Sequence, residues 1–284
     1  MTELRWGERT YVMGIINVTP DSFSGDGLAE PGASELEIVA AALQQARAFV
    51  AAGADILDVG AESSRPAQVY GEHPPIDVEA EIARAVPVVA ALSREFAGRT
   101  LVSIDTMKGA VAREALAAGA GMVNDVWAGR HDPGTVDAAA AAGAYLVLMH
   151  NKEAAEYPGG MFGEVVAWLR SAVDDAVDRG MPRERLLVDP GIGFGKKPAH
   201  SVEVLHRLAE LKDALGGLPL LVGTSRKRFI GEILGGVPPQ ERVEGTAATV
   251  ALAIAAGADV VRVHDVAHMV RTARVSDAIV RLRQ

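Results

Sequence analysis

The stretch MGIINVTPDSFSGDG, residues 13–27, changes character halfway along its length. Residues 12–18 form a short apolar run rich in β-branched side chains, which is typical of a buried strand. The remainder is polar and holds one proline and two glycines, which is typical of a loop. In α/β enzymes, functional side chains often follow a buried strand in this way. The stretch therefore predicts an α/β fold and makes Asn17, at the strand exit, a candidate functional residue.

The same alternation of apolar strand and helical segment recurs along the whole chain. The predicted strands span residues 12–18, 54–60, 100–106, 121–126, 145–150, 186–191, 219–225 and 260–266. Segments with helical periodicity span residues 35–52, 78–96, 110–118, 135–142, 162–179, 202–215, 226–234, 245–256 and 267–282. Eight such units in 284 residues favour a closed (β/α)8 TIM barrel over an open sheet, which usually has fewer strands.

The tetrad Ala-Ala-Gly-Ala occurs at four of the predicted junctions between a helix and a strand, beginning at residues 51, 117, 141 and 255. Glycine directly after a helix adopts the left-handed conformation without steric cost, so each tetrad predicts a turn. No linker or low-complexity segment interrupts the rhythm. We therefore expect a single domain over residues 1–284, in which residues 1–11 form a short extension that closes the barrel bottom.

The composition limits the classes of function. The formal net charge is −9 and there is no basic stripe, which argues against nucleic acid and anionic membranes as partners. The absence of cysteine excludes disulfides and thiolate metal sites. The first ten residues lack the apolar core of a signal peptide, and no apolar stretch is long enough to span a bilayer. We therefore expect a cytoplasmic protein that acts on small molecules.

In a (β/α)8 barrel the chemistry takes place at the carboxyl ends of the strands, and every predicted strand here carries a polar residue at that end. These residues are Asn17, Asp58, Asp105, Asn124 with Asp125, His150, Asp189, Ser225 with Arg226 and Lys227, and Arg262 with His264 and Asp265. Helix capping accounts for a few of the Asp and Asn residues, but not for all eight strand ends and not for the cations. The pattern predicts a composite active site.

The acidic half of this set suggests a flat heterocyclic ligand. Asp105, Asn124 and Asp189 offer acceptors and an amide to a ring edge that carries several N–H donors. A buried carboxylate that faces such an edge forms paired, charge-assisted hydrogen bonds. Met149 and Phe194 are able to sandwich a flat ring, although core packing is the simpler explanation for either residue alone.

The cationic half suggests a phosphate group. Lys227, Arg262 and His264 follow strands seven and eight, where barrels commonly bind phosphate, and the guanidinium fork of arginine matches oxyanion geometry. Asn17 offers an oxygen ligand for Mg²⁺ on a diphosphate, since Mg²⁺ relies largely on water and substrate oxygens. The site thus predicts a planar heterocycle joined to a diphosphate, and the expected chemistry is loss of that diphosphate and attack by a nucleophile.

The motifs MGIINVTPDSF, ESSRP, SIDT, ND, DPGIGF, TSRKRF and RVHDV, in this order, closely resemble those of the dihydropteroate synthase family over nearly the whole chain. The resemblance implies a transferase of folate biosynthesis. Such an enzyme joins 6-hydroxymethyl-7,8-dihydropterin diphosphate to p-aminobenzoate and releases 7,8-dihydropteroate and pyrophosphate. It also implies a dissociative mechanism, inhibition by sulfonamides, and a homodimer formed through the last helices.

The resemblance further implies a role for each matching position. The pterin would be bound by Asp105, Asn124, Met149, Asp189, Gly193, Phe194, Lys227 and Arg262. The diphosphate would be bound by Asn17, Ser64, Arg262 and His264, with Mg²⁺ on Asn17. The p-aminobenzoate would be bound by Phe23, Ser63, Ser64, Arg65, Pro66 and Lys227. The catalytic residues would be Asp105, Lys227, Arg262 and His264. Residues 19–27 would order only when pyrophosphate is in place.

The sequence departs from the family pattern in one loop position, because the aspartate of the usual FSDGG run is displaced to Asp26. Two other activities stay open at this point. A methyltetrahydrofolate methyltransferase of the same fold needs no diphosphate site, which Lys227, Arg262 and His264 argue against. A catalytically silent pterin-binding paralogue is the other alternative, and the retained Asn17, Arg65, Lys227 and Arg262 argue against it.

Overall fold

The structure is a computed structural model that describes residues 3–19, 27, 33–62 and 76–281. Its eight strands are β1 (Tyr11–Asn17), β2 (Ile56–Gly60), β3 (Leu101–Asp105), β4 (Met122–Asp125), β5 (Tyr145–Met149), β6 (Leu186–Asp189), β7 (Leu221–Val222) and β8 (Val260–Val263). All of the paired strands are parallel, and their order in the sheet is β6-β5-β4-β3-β2-β1-β8-β7.

The two ends of this sheet meet and close a barrel. Val188 of β6 forms a parallel bridge with Leu220, directly before β7. The backbone N–H of Val188 also donates to the carbonyl of Pro219 at 2.9 Å. The eight-stranded (β/α)8 barrel predicted from the alternation of strands and helices is therefore confirmed.

Helices surround the barrel and follow the strands along the chain. They are α1 (Glu35–Ala52), α2 (Val78–Glu95), α3 (Gly109–Ala117), α4 (Gly134–Ala142), α5 (Met161–Asp178), α6 (Pro198–His206), α7 (Leu208–Ala214), α8 (Arg228–Ile233), α9 (Val243–Ala255) and α10 (Val266–Val280). Short 3-10 turns occupy Arg183–Arg185 and Pro239–Glu241. None of the helices in the described residues is both long and apolar enough to cross a membrane.

Two predicted elements differ from the structure. The seventh strand, predicted at residues 219–225, is only two residues long and ends at Val222. Gly223 follows it, and a turn then begins at Thr224, whose carbonyl accepts the Lys227 N–H at 3.2 Å. The helix predicted at residues 202–215 is broken at Arg207, whose backbone lies at φ −108°, ψ 20°. No glycine or proline marks this break. The Arg207 guanidinium lies 3.5 Å from the centre of the Phe162 ring.

The four Ala-Ala-Gly-Ala tetrads form the predicted turns. Gly53, at φ 105°, ends α1, and its N–H donates to the carbonyls of Phe49 and Val50. The glycines of the other three tetrads also have positive φ, at 112°, 62° and 93°. A side chain at these positions would be strained, so the tetrads are local signals that return the chain from a helix to the next strand.

The side chains that point into the barrel are apolar near the amino ends of the strands and polar near the carboxyl ends. The residues near the amino ends of the strands form one apolar cluster, which includes Tyr11, Met13, Ile56, Leu101, Met122, Tyr145, Leu187, Leu221 and Val260. Leu4 is buried in this cluster, and Trp6 packs on it. The Leu4 N–H also donates to the Tyr145 hydroxyl at 3.0 Å. The polar strand ends therefore lie at the opposite, carboxyl end.

Candidate active site

The centre of the polar end is a buried network that joins four strands, β2, β3, β4 and β8. Arg262 of β8 donates through Nε to Asp58 Oδ2 and through Nη2 to Asp105 Oδ2, both at 2.6 Å. Asn124 of β4 donates through Nδ2 to the same Asp58 Oδ2 at 3.0 Å. Strand register explains the grouping, because Asp105 pairs with Asn124 on one side and with Gly60 on the other.

Charges in this network shift one another's protonation. Burial raises the pKa of Asp105 to about 7, against the opposing effect of Arg262, and the charge of Asp58 adds to the rise. Burial opposes the charge of Arg262, but Asp58 and Asp105 outweigh it and raise the pKa of the guanidinium. Arg262 is therefore a permanent cation, while Asp105 titrates near neutral pH.

Asn17 lies beside this network at the end of β1. Its register partner is Gly60, and Gly60 in turn pairs with Asp105. A Cβ atom placed on Gly60 would lie 3.6 Å from Asp105 Cβ and 3.9 Å from Asn17 Oδ1. The side chains of Asn17 and Asp105 therefore flank a position with no side chain, which leaves room for a ligand between them.

The carboxylate of Asp189, at the end of β6, faces a cluster of cations. Its Oδ1 accepts the N–H of Gly191 at 2.7 Å. Burial raises the pKa of Asp189 to about 6, while Gly191, Lys227, Lys196 and Arg262 oppose the rise. Met149 is the register partner of Asp189 on β5. The sequence-predicted residues Met149 and Asp189 thus lie side by side at the pocket.

Lys227 and Phe194 are in direct contact. Lys227 Nζ lies 4.0 Å from the centre of the Phe194 ring. A Cβ atom on Gly193, which has φ +81°, would lie 3.0 Å from Lys227 Cδ. Glycine at position 193 therefore lets the loop after β6 approach the lysine closely.

His264, which directly follows β8, is held by Ser225. Ser225 Oγ accepts the backbone N–H of His264 at 3.1 Å and lies 2.9 Å from its Nδ1. These two contacts fix the orientation of the His264 ring at the end of β8. Arg226, at φ 56°, is bound through Nε and Nη2 to Asp265 at 3.0 and 2.7 Å. This ion pair ties the loop after β7 to the end of β8.

Two polar strand ends have supporting roles instead of facing the pocket. Asp125 accepts the N–H groups of Trp127 and Gly129 and the hydroxyl of Thr135. Thr135 lies in the first turn of α4, so these bonds hold the start of that helix against the end of β4. Asp125 points away from Asn124, because successive strand residues face opposite sides of a sheet. The alternation of side chains along a strand is therefore sufficient to predict that Asn124 and Asp125 point in opposite directions.

His150 supports the loop after β6 from below. Lys196 Nζ lies 2.8 Å from His150 Nδ1 and donates to the Phe194 carbonyl at 3.2 Å. Burial lowers the pKa of Lys196 to about 7, and burial together with Lys196 lowers the pKa of His150 to about 3. Sequence reasoning missed this pair, whose members are 46 residues apart and meet because β5 and β6 are neighbours.

Several predicted site residues lie outside the described residues, namely Phe23, Ser63, Ser64, Arg65 and Pro66. The displaced Asp26 lies outside them too, as do most of residues 19–27. Among the predicted residues that the structure describes, Asp105, Asn124 and Arg262 are joined through Asp58 in one network. Lys227 and Phe194 are in contact, and His264 is held by Ser225 at the end of β8. Sequence reasoning noted Asp58 as a strand end but gave it no role, although it contacts both Arg262 and Asn124.

Gly191, in the loop after β6, packs closely against His150, and its replacement by alanine is expected to destabilise the fold. Gly191 has φ +68°, and a Cβ atom there would lie 1.9 Å from the His150 carbonyl oxygen. Left-handed strain and a backbone clash together predict a loss of about 2–4 kcal/mol in the free energy of unfolding, measured by urea denaturation.

The matched control is Gly143→Ala, since Gly143 has φ +62° and nothing within 4 Å of the added atom. It carries the strain without the clash and is expected to cost about 1 kcal/mol. Equal losses in the two variants would contradict the close contact with His150.

Known proteins match this chain over nearly its full length. The family model for pterin-binding enzymes matches residues 13–264. The dihydropteroate synthase of Synechocystis is 42% identical over 281 residues, which cover 96% of this chain and 91% of the relative. The crystal structure of dihydropteroate synthase from Clostridium difficile, obtained in the presence of pteroic acid, has a TM-score of 0.89 at 41% identity and covers 99% of this chain and 100% of that one.

A second solved structure, the Xanthomonas albilineans dihydropteroate synthase in complex with 7,8-dihydropteroate, has a TM-score of 0.81 at 37% identity. It covers 97% of this chain and 94% of its own. Fold, motif order and similarity along the chain agree, and the chain therefore belongs to the dihydropteroate synthase family of pterin-binding transferases.

Proposed function

We propose that the described pocket is where this chain joins 6-hydroxymethyl-7,8-dihydropterin diphosphate to p-aminobenzoate. The products are 7,8-dihydropteroate and pyrophosphate. The observation that carries the proposal is the pairing of Arg262 with Asp105 at the pocket centre, next to Asn124. It places acceptors for a heterocycle edge within one side-chain length of a permanent cation that suits a diphosphate.

The carboxylates bind the pterin edge. Asp105 and Asp189 accept its N–H groups, and Asn124 contributes an amide. Both carboxylates have raised pKa values because they are buried without a ligand. N–H donors of a bound pterin stabilise the charged forms and offset that cost, so a ligand without those donors is rejected.

The ring faces are formed by Met149, Phe194 and Lys227. A pterin that stacks on the covered face of Phe194 displaces Lys227 Nζ from its position over the ring. The ammonium then turns toward the acceptor atoms of the pterin. Gly193 permits this movement, since it has no side chain against the lysine.

Arg262 and His264 stabilise the leaving diphosphate. When Asp105 accepts the pterin, Arg262 Nη2 is released from it and becomes available to the diphosphate oxygens. The ring of His264 is held at the end of β8 by Ser225 and contacts the diphosphate from there. Loss of the diphosphate leaves a methylene cation that is delocalised into the pterin and stabilised by the nearby carboxylates. The neutral amine of p-aminobenzoate then forms a bond to the methylene carbon, and the resulting ammonium, which is acidic, releases its extra proton to water, so that no strong base is needed.

Mg²⁺ is proposed on Asn17, whose amide oxygen lies at the strand end near Asp105. Within the described ranges, no group of three or more His, Asp or Glu side chains is placed to hold a metal. A site with one protein ligand still suits Mg²⁺, because this ion keeps several waters and uses substrate phosphates. Bound there, it would neutralise charge on the departing diphosphate.

The p-aminobenzoate pocket is proposed at Lys227 and the predicted residues Phe23, Ser63, Ser64, Arg65 and Pro66. The support from this chain is the position of Lys227 at the amino end of α8, next to the pterin residues. Sulfonamides, which resemble p-aminobenzoate, are proposed to compete there.

One assay tests the proposal. Purified protein is incubated with Mg²⁺, the pterin diphosphate and p-aminobenzoate, and pyrophosphate and dihydropteroate are quantified. Both products are expected in equal amounts, and neither should form without p-aminobenzoate or without protein. Absence of product with an intact fold would favour a silent pterin-binding paralogue. Methyl transfer from methyltetrahydrofolate to a corrinoid protein would favour the methyltransferase.

We also propose a homodimer formed through α9 and α10, which pack against each other. Leu252 of α9 and Val275 and Ile279 of α10 are large apolar side chains that are 67%, 62% and 68% exposed. Patches of this kind on packed helices mark an interface. A second copy of the chain, related by a two-fold axis, would cover them.

Replacing Ile279 by lysine is expected to convert the dimer to a monomer, because the charge would be buried in an apolar interface. Light scattering coupled to size-exclusion chromatography measures the mass. Leu36→Lys is the matched control, since Leu36 is 79% exposed on α1. A wild-type mass of one chain, or a variant that still dimerises, would contradict the proposed interface.

A further inference from the structure

Asp58 is the one side chain that contacts both Arg262 and Asn124 in the described structure. It lies in the middle of β2, is 0% exposed, and accepts Arg262 Nε at 2.6 Å and Asn124 Nδ2 at 3.0 Å on one oxygen, Oδ2. Its contacts come from β4 and β8, the even-numbered strands on either side of β2. Side chains of alternate strands form one layer of a (β/α)8 barrel, so these three residues share a layer beneath the pocket.

We propose that Asp58 is a positioning residue that holds Arg262 and Asn124 in place for the pterin diphosphate. The proposal rests on the proposed function, because it assigns Asp58 to residues with roles in that reaction. Asp58 acts through those two side chains and does not itself touch the reacting atoms.

Asp105 also binds Arg262, and the comparison of the two carboxylates shows why Asp58 has the positioning role. Both accept an Arg262 N–H at 2.6 Å. Asp105 lies at the end of its strand and its side chain retains 11% exposure, against 0% for Asp58. When Asp105 turns its oxygens to the pterin, it loosens its hold on Arg262. Asp58 then remains as the counter-ion at Nε, which leaves Nη2 to move without releasing the whole side chain.

The electrostatics of the pocket depend on the same residue. Asp58 is one of the charges that raise the pKa of Asp105, together with Glu81 and Asp125, while Arg262 lowers it. Removing the Asp58 charge therefore lowers the pKa of Asp105 on two counts. The substitution takes away a negative charge that repels the Asp105 carboxylate. It also removes the carboxylate that competes with Asp105 for Arg262.

The test is Asp58→Asn, which keeps the shape of the side chain and an acceptor for Asn124 but removes the charge. We expect kcat/KM for the pterin diphosphate to fall by roughly 10- to 100-fold, with an unchanged KM for p-aminobenzoate. We also expect the acid limb of the pH profile for pterin binding to move to lower pH. A side chain that only fills space would not move that limb.

The matched control is Ser103→Ala. Ser103 is the register partner of Asp58 on β3, is equally buried, and its Oγ has no hydrogen-bond partner among the described residues. We expect its kinetics to stay within about twofold of the wild type. If Asp58→Asn matches Ser103→Ala in rate and pH profile while the wild type is active, the positioning role is wrong. If the wild type itself makes no dihydropteroate, the proposed function fails instead.

A second pair of variants covers the case in which Asp58→Asn does not fold. Arg262→Leu leaves two buried carboxylates without their cation, and Arg262→Leu with Asp58→Asn removes one of them, so the double variant should fold better. If Asp58 acts through Arg262, the effects of the two substitutions are not additive. The double variant should then bind pterin no more weakly than Arg262→Leu alone. A further tenfold loss would overturn the proposal.

Discussion

Replacing Asp189 by asparagine is expected to weaken pterin binding by at least about 100-fold, because a buried carboxylate that pairs with N–H donors cannot be replaced by an amide without loss. The fold should survive. The asparagine oxygen is able to accept the Gly191 N–H that Asp189 Oδ1 accepts at 2.7 Å. Asp189→Ala loses that acceptor as well and should bind pterin no better than Asp189→Asn.

The pH dependence of binding follows from the burial of Asp189. Its pKa is raised to about 6, so in the ligand-free protein the charged form is disfavoured. Protons compete with the pterin, and affinity is expected to fall as the pH drops through that value. The pH dependence of the folding stability has the opposite sign to that of the pterin affinity. An acid with a raised pKa binds protons more tightly when folded, so the ligand-free protein loses stability as pH rises from about 4 toward 6.

Calorimetric titration with a pterin substrate analogue between pH 5 and 8 measures the affinity, and thermal unfolding of the ligand-free protein from pH 4 upward measures the stability. Asp189→Asn should show weak binding at every pH and an unfolding temperature at pH 7 at least equal to that of the wild type. Tight, pH-independent binding to Asp189→Asn would exclude Asp189 from the pterin site.

Replacing Arg262 by lysine is expected to lower kcat/KM by about 100- to 1000-fold. A lysine keeps the charge, but one ammonium cannot reproduce the two separate N–H bonds that join Asp58 and Asp105 at 2.6 Å each. It also lacks the planar fork that grips a diphosphate. The main loss should appear in kcat, since stabilisation of the leaving group is realised in the transition state.

Arg262→Leu separates the structural part of this effect from the chemical part. It leaves Asp58 and Asp105 buried without a cation and is expected to cost about 3–5 kcal/mol of unfolding free energy. The control is Arg281→Lys, which alters an arginine–aspartate pair with Asp277 far from the pocket. The activity of the Arg281→Lys enzyme should stay within about twofold of the wild-type activity. An Arg262→Lys enzyme with normal kcat would remove Arg262 from the proposed mechanism.

The eight polar strand ends show how much of the site local sequence patterns are able to predict. Local patterns marked each strand and each glycine turn, and the barrel then required all of the strand ends to lie together. The alternation of strand residues separates Asn124, which faces the pocket network, from Asp125, which caps the loop before α4. Both outcomes follow from short-range rules of chain geometry.

Other features had no local signal. The break at Arg207 has no glycine or proline, and the seventh strand ends at Val222, three residues before its predicted end. Lys196 and His150 lie in separate units, and Lys196 lowers the pKa of His150 only because the two loops are packed together. Such effects depend on burial, which a list of residue types does not contain.

By itself, the sequence determined the barrel, its turns, and the set of side chains available at its carboxyl end, because these depend on hydrophobic period, glycine conformation and strand direction. Only the tertiary structure decided how those side chains pair. Asp58 and Arg262 are 204 residues apart and meet because β8 closes onto β1 and places them in one interior layer. Closing the barrel buries charges that the chain alone keeps apart, and burial turns a set of polar strand ends into a network of fixed geometry.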